Sequence, residues 1–205
     1  MSKPTIIYLT GFSTAGKSTI GPILANSLGF SFIDIDKAIS DQESKSINEI
    51  FAEKGEAYFR RLEYEIVTSI TNASNGNLVV ALGGGTLEND KSYEAITNSG
   101  TLVYLKTDPK TLSKRLSNKD DRPLIKAENG SKLSQEEISN RVEMMLAKRE
   151  ARYAKAPISI PTDESHIGKT VESLTRQIER YLKLYGGRAE IEPLSKKRRA
   201  NRSEE

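Results

Sequence analysis

An α/β fold, with a parallel sheet of about five strands and helices on both faces, is what this sequence predicts. Three observations predict it. Short β-branched or continuously apolar runs at 5–10, 30–33, 78–82, 101–105 and 158–160 alternate with amphipathic helical segments at the spacing of βα units. The stretch Gly11-Phe12-Ser13-Thr14-Ala15-Gly16-Lys17-Ser18 joins the first strand to the first helix and matches G-x-x-x-x-G-K-[ST], a phosphate-binding P-loop. The other candidate functional residues also follow strands, and a parallel sheet binds ligands at the carboxyl ends of its strands.

The P-loop is the anchor of the reading. Its glycines let successive N–H groups turn inward toward a nucleotide's phosphates, and the following helix (Ile20, Ile23, Leu24, Leu28 on one stripe) adds its positive end. Lys17 then reaches the β- and γ-phosphates, while Ser18 offers a hydroxyl to Mg²⁺, which bridges phosphates and keeps several waters. Gly11, Thr14, Ala15, Gly16, Lys17, Ser18 and Thr19 are therefore the expected ATP-binding residues.

Gly29 closes this helix as a left-handed cap, and the second strand runs into Asp34-Ile35-Asp36. Alternation along a strand would aim both carboxylates the same way. As an isolated pair they could equally cap the next helix. Ser46-Ile47-Asn48-Glu49 is a capping box opening a long helical region through Ile70, broken near Gly55 and carrying Arg60 and Arg61.

Leu78 to Leu82 reads as a strand buried on both faces, and Gly83-Gly84-Gly85 follows at once. Three glycines in a row permit close backbone approach to a ligand, at an entropic cost that a plain turn would avoid. Asn89 or Asp90 starts a helix, a fourth strand follows, and Asp108-Pro109 is an N-cap with proline at the first helical position. Residues 117–132 are polar and long for a compact domain, as a functional lid would be. Ser134-Gln135-Glu136-Glu137 is a second capping box, opening a helix with Arg141, Lys148, Arg149 and Arg152; a last strand and a last amphipathic helix complete the fold.

Composition bounds the function. With 205 residues, 36% hydrophobic and 29% charged, one soluble domain at 1–185 with a charged, disordered tail at 186–205 is expected. The tail has six Lys/Arg against four Glu, which leaves +1 of the net +3 on the body, so no polyanion-binding face is expected. The basic run at 196–199 is read as solvated, and His166 as incidental. No run is long enough to span a membrane, and no targeting segment is visible. Zero cysteines exclude disulfides and thiolate sites and suit a reducing cytoplasm, where a monomer is expected.

Taken together, the P-loop, Asp34-Ile35-Asp36, Gly55-Glu56-Ala57-Tyr58-Phe59-Arg60-Arg61-Leu62-Glu63, Ala81-Leu82-Gly83-Gly84-Gly85, Arg122-Pro123-Leu124-Ile125 and Lys148-Arg149 resemble the shikimate kinase family of small P-loop kinases. The resemblance implies transfer of the ATP γ-phosphate to the 3-hydroxyl of shikimate with Mg²⁺. It implies that Asp36, Arg60, Arg149 and Gly83 to Gly85 hold shikimate. Asp34 would lie beside the metal and the reacting hydroxyl, Arg122 would close over the phosphates from the lid, and Arg115 would lie near the adenine. These residue types suit the chemistry, since arginine forks pair with a carboxylate and aspartate accepts from paired hydroxyls. The rival readings are a related kinase for gluconate or a nucleoside monophosphate, and an ATP-binding module without turnover. Thr14 stands where the family usually has a further glycine, and is the one departure that supports the last.

Overall fold

The computed structural model describes residues 4–73, 76–119, 123–127, 131–163 and 166–185. Among these residues five strands alternate with seven helices: β1 (Ile6–Thr10), α1 (Lys17–Leu28), β2 (Ser31–Asp34), α2 (Ile35–Glu43), α3 (Ile47–Ala73), β3 (Leu78–Ala81), α4 (Asp90–Ser99), β4 (Thr101–Lys106), α5 (Pro109–Ser117), α6 (Gln135–Tyr153), β5 (Ile158–Pro161) and α7 (Ile167–Tyr185). The sheet is parallel with order β2-β3-β1-β4-β5. The central position of β1 explains its sequence, because Ile7, Tyr8 and Leu9 have no exposure at all, whereas edge strand β2 is partly open.

The two faces follow from the handedness of the crossovers. The connection through α1 leads from the centre toward β2, whereas those through α3 and α4 lead back across the sheet in the opposite sense, so right-handed crossovers put them on opposite faces. Accordingly α1 packs on β2, β3 and α7, and α3 packs on α4. The chain leaves β1 for one side of the sheet and leaves β3 for the other, which opens a crevice at the carboxyl end of β1 where the P-loop sits.

Local chemistry sets the boundaries. Gly29 caps α1 at φ 69°, Asn89 caps α4 and Asp108 caps α5, each aspartate or asparagine side chain accepting from a backbone N–H three residues on. Both capping boxes form, with Ser46 N donating to Glu49 Oε2 at 2.7 Å and Ser134 N donating to Glu137 Oε2 at 2.8 Å. Gly55, at φ 77° and ψ 171°, breaks α3 into two helical pieces.

One expectation about β2 is corrected. Asp36 does not follow Asp34 along a strand: β2 ends at Asp34, whose carboxylate accepts from Lys37 N at 3.2 Å and starts α2 at the next residue. Asp36 lies in the first turn of α2, so helical geometry, not strand alternation, directs it. The described parts of 117–132 are also more ordered than a simple polar loop. Pro123–Ile125 forms a 3₁₀ turn, Lys126 bridges Lys132, and Ile125 is buried. Arg122 and the tail at 186–205 lie outside the described residues. No described helix is long and apolar enough to cross a membrane.

Candidate active site

The P-loop owes its shape to three positive backbone angles, Gly11 at φ 143°, Thr14 at φ 65° and Gly16 at φ 102°. Glycine reaches such angles without cost, but a β-branched threonine does not. Thr14 is held there from α5. Its hydroxyl donates to Leu112 O at 3.4 Å, and Arg115 Nη1 donates to its carbonyl at 3.3 Å. Lys17 is buried at the foot of the loop, where Nζ donates to Gly11 O at 2.8 Å and Phe12 O at 2.9 Å. Ser18 Oγ donates to Asp34 Oδ2 at 2.6 Å, which brings the first turn of α1 against the end of β2.

A cavity of about 360 Å³ runs over this loop, lined by Thr14, Lys17, Ser18, Asp34, Asp36 and Arg115 among others. Beside it lies a second cavity of about 440 Å³, lined by Asp36, Arg60, Gly83, Gly84, Gly85 and Arg149 and by Phe51, Phe59, Leu124 and Met145 among others. Ser13, Asp36 and Gly84 line both. On the other side a third space of about 280 Å³ lies between the P-loop, Arg115, Thr162 and the start of α7, with Thr14, Gly16, Thr19 and Arg115 on the shared boundary. The three adjoin one another along the carboxyl edge of the sheet.

The arginines of the second cavity are braced. Arg60 donates from Nη1 to Glu63 Oε2 at 2.5 Å and from Nη2 to Glu56 Oε1 at 2.9 Å, while Arg61 points outward to Glu65. Glu63 is 1% exposed, and Thr86 Oγ1 donates to its other oxygen at 2.6 Å. Burial pushes the Glu63 carboxyl above its ordinary value, against the opposing pull of Arg60. Arg149 is buried too, donating from Nε to Glu88 Oε2 at 2.8 Å, with its guanidinium 5.6 Å from the Phe12 ring centroid. A Cβ on Gly85 would stand 2.6 to 2.8 Å from the Arg60 guanidinium, so glycine there is what lets the arginine lie against the loop.

Of the described members of the expected site, all but the buried Gly11 line one of these cavities, from Thr14 to Thr19 of the P-loop through Asp34 and Asp36 to Arg60, Arg115, Arg149 and the triple glycine. A family model described as shikimate kinase matches residues 13–179. The chain belongs to the shikimate kinase family. A shikimate kinase from Chloroherpeton thalassium is 66% identical over 183 residues, covering 89% of this chain and 97% of that protein. One from Chlorobaculum parvum is 55% identical over the same shares. Among solved structures, the shikimate kinase from Acinetobacter baumannii in complex with shikimate is 29% identical with a TM-score of 0.74, covering 87% of this chain and 93% of that one. A gluconokinase from Sinorhizobium meliloti, 17% identical with a TM-score of 0.50, shares the fold alone. The activity that comes with the family is ATP-dependent phosphorylation of shikimate.

Sequence reasoning did not single out Glu63, Arg141, Tyr153 or Thr162 as site residues. Glu63 had a signal, lying three residues after Arg60 on one helix, where side chains meet. Arg141 fastens the 3₁₀ turn by donating to Leu124 O at 3.2 Å and Lys126 O at 2.9 Å, and Thr162 O accepts from Arg115 Nη2 at 2.9 Å. Those two pairings are made only by the tertiary fold.

Proposed function

We propose that the three cavities together carry out phosphoryl transfer from ATP to shikimate, the third space taking the adenine beside Arg115, the first cavity the phosphates, and the second the acceptor. The observation that carries this reading is the shared lining by Ser13, Asp36 and Gly84, since a phosphoryl group must pass directly between donor and acceptor. Lys17 and the P-loop N–H groups hold the phosphates, with Lys17 exchanging its loop carbonyls for phosphate oxygens. Arg60 and Arg149 grip the shikimate carboxylate, Asp36 accepts from its hydroxyls, and the glycines let the ring lie against the backbone.

Ser18 and Asp34 fit Mg²⁺. Both donors are hard oxygens, and they are 2.6 Å apart at the mouth of the phosphate cavity, where a cation bound mainly to phosphates and water needs few protein ligands. Bound there, the ion would neutralise charge on the β- and γ-phosphates. One chain lines all three cavities, so a monomer suffices.

Separate titrations of shikimate and MgADP test the assignment. Asp36→Asn should weaken shikimate at least tenfold and leave MgADP within about twofold, and Lys17→Ala should do the reverse. Equal losses of both ligands in either variant would contradict this division of the cavities.

A further inference from the structure

The triple glycine has no side chains to fix its peptide planes, so whatever orients it must come from outside the loop. The last turns of α6 provide that hold. Tyr153 donates its hydroxyl to Gly84 O, Arg152 Nη1 donates to Leu87 O at 2.7 Å and pairs with Asp90, and Arg149 pairs with Glu88. Tyr153 is 1% exposed, and its ring packs on Tyr104 with centroids 5.2 Å apart. Burial raises its hydroxyl pKa, which keeps the phenol a donor at any ordinary pH. None of this is legible as a motif, because residues 84 and 153 are brought together only by the packing of α6 on the Thr86–Glu88 turn.

A planar trans peptide couples the Gly84 carbonyl to the next N–H, which must point the opposite way. The carbonyl is drawn toward Tyr153, so the Gly85 N–H is turned away from that side chain, and Gly85 itself lines the cavity with Asp36 and Arg60. Gly84 is also where the loop meets the P-loop, since a Cβ on it would stand 3.2 Å from Ser13 N.

We propose that Tyr153 is a positioning residue for the acceptor: by holding the Gly84 carbonyl it fixes the 84–85 peptide plane and aims the Gly85 N–H into the shikimate cavity. The inference rests on the reading above that this cavity takes shikimate. Tyr153→Phe is the sharp test, because it keeps the buried ring and removes only the hydroxyl. Tyr104→Phe, which removes a neighbouring hydroxyl that does not touch the loop, is the control. Shikimate and MgADP are titrated separately into each full-length variant, and thermal unfolding is followed alongside. The expected result is about a tenfold loss of shikimate affinity in Tyr153→Phe, with MgADP within twofold and Tyr104→Phe unchanged for both ligands.

A lowered melting temperature with unchanged shikimate affinity would overturn the proposal and leave Tyr153 a core residue. Equal weakening of shikimate and MgADP would overturn it as well. Arg60→Lys, measured in parallel, separates the two layers. If Arg60→Lys weakens shikimate and Tyr153→Phe does not, only the positioning role falls. If neither weakens it, the assignment of the cavity falls too.

Discussion

The Ser18 hydroxyl donates to Asp34 Oδ2 across 2.6 Å, fastening the helix that follows the P-loop to the end of β2. The pair comes from segments with different sequence signals, yet it forms an all-oxygen junction beside the phosphate cavity, of a kind that suits a hard cation. Asp34→Asn keeps the cap of α2, since asparagine caps as well as aspartate, but removes the negative charge. Turnover should fall at least about a hundredfold and need more Mg²⁺, with thermal stability nearly unchanged. Steady-state rates across a Mg²⁺ titration check this; an unaltered Mg²⁺ requirement would remove Asp34 from the metal.

The buried Glu63, paired with the half-buried Arg60, makes a prediction about pH. The folded-state pKa of Glu63 is raised above the ordinary 4.5 by burial, so the folded protein holds that proton more tightly than the unfolded chain. Its contribution to stability is therefore fully present below 4.5 and is lost as pH rises through the folded value. Glu63→Gln should flatten this part of the stability profile, measured as urea midpoints from pH 4 upward. An identical slope in the variant would mean that Glu63 does not titrate there.

Gly85→Ala places a methyl group against the Arg60 guanidinium at 2.6 to 2.8 Å, in a backbone conformation (φ −112°) that alanine adopts freely. The effect should be steric and local. Shikimate affinity should fall about tenfold or more while MgADP binding stays within twofold, as separate titrations would show. Loss of MgADP binding instead would indicate a wider collapse of the loop.

Thr14 is tolerated at φ 65° because α5 holds it, but the penalty for a side chain in that region remains. Removing it should return about 1–2 kcal/mol, against about 0.5–1 kcal/mol for the extra freedom glycine gives the unfolded chain. Thr14→Gly should thus be neutral or up to about 1.5 kcal/mol more stable in urea unfolding. A clear destabilisation would show that the 3.4 Å bond to Leu112 O contributes more than its length suggests.

Much of this arrangement was legible in the chain. The five strands, the caps at Gly29, Asn89 and Asp108 and both capping boxes follow from local chemistry, which sequence displays directly. Asp34 and Asp36 stand out as a pair in the chain, but strand alternation gives the wrong geometry for Asp36, because the cap that Asp34 makes ends the strand and places Asp36 on a helix instead. Arg60 could be told from Arg61 by motif position, and Glu56 and Glu63, four residues before it and three after it on the same helix, stand at the spacing where side chains meet. Tyr153, Arg141 and Thr162 act through backbone carbonyls far away in sequence, and a carbonyl carries no residue type for a motif to record.

The most direct test of the account is ADP release from MgATP with shikimate, gluconate or AMP as acceptor, run on the protein and on Lys17→Ala. The account predicts turnover with shikimate alone and its loss by several orders of magnitude in the variant. Turnover favouring gluconate or AMP, or none with any acceptor despite nucleotide binding, would contradict it.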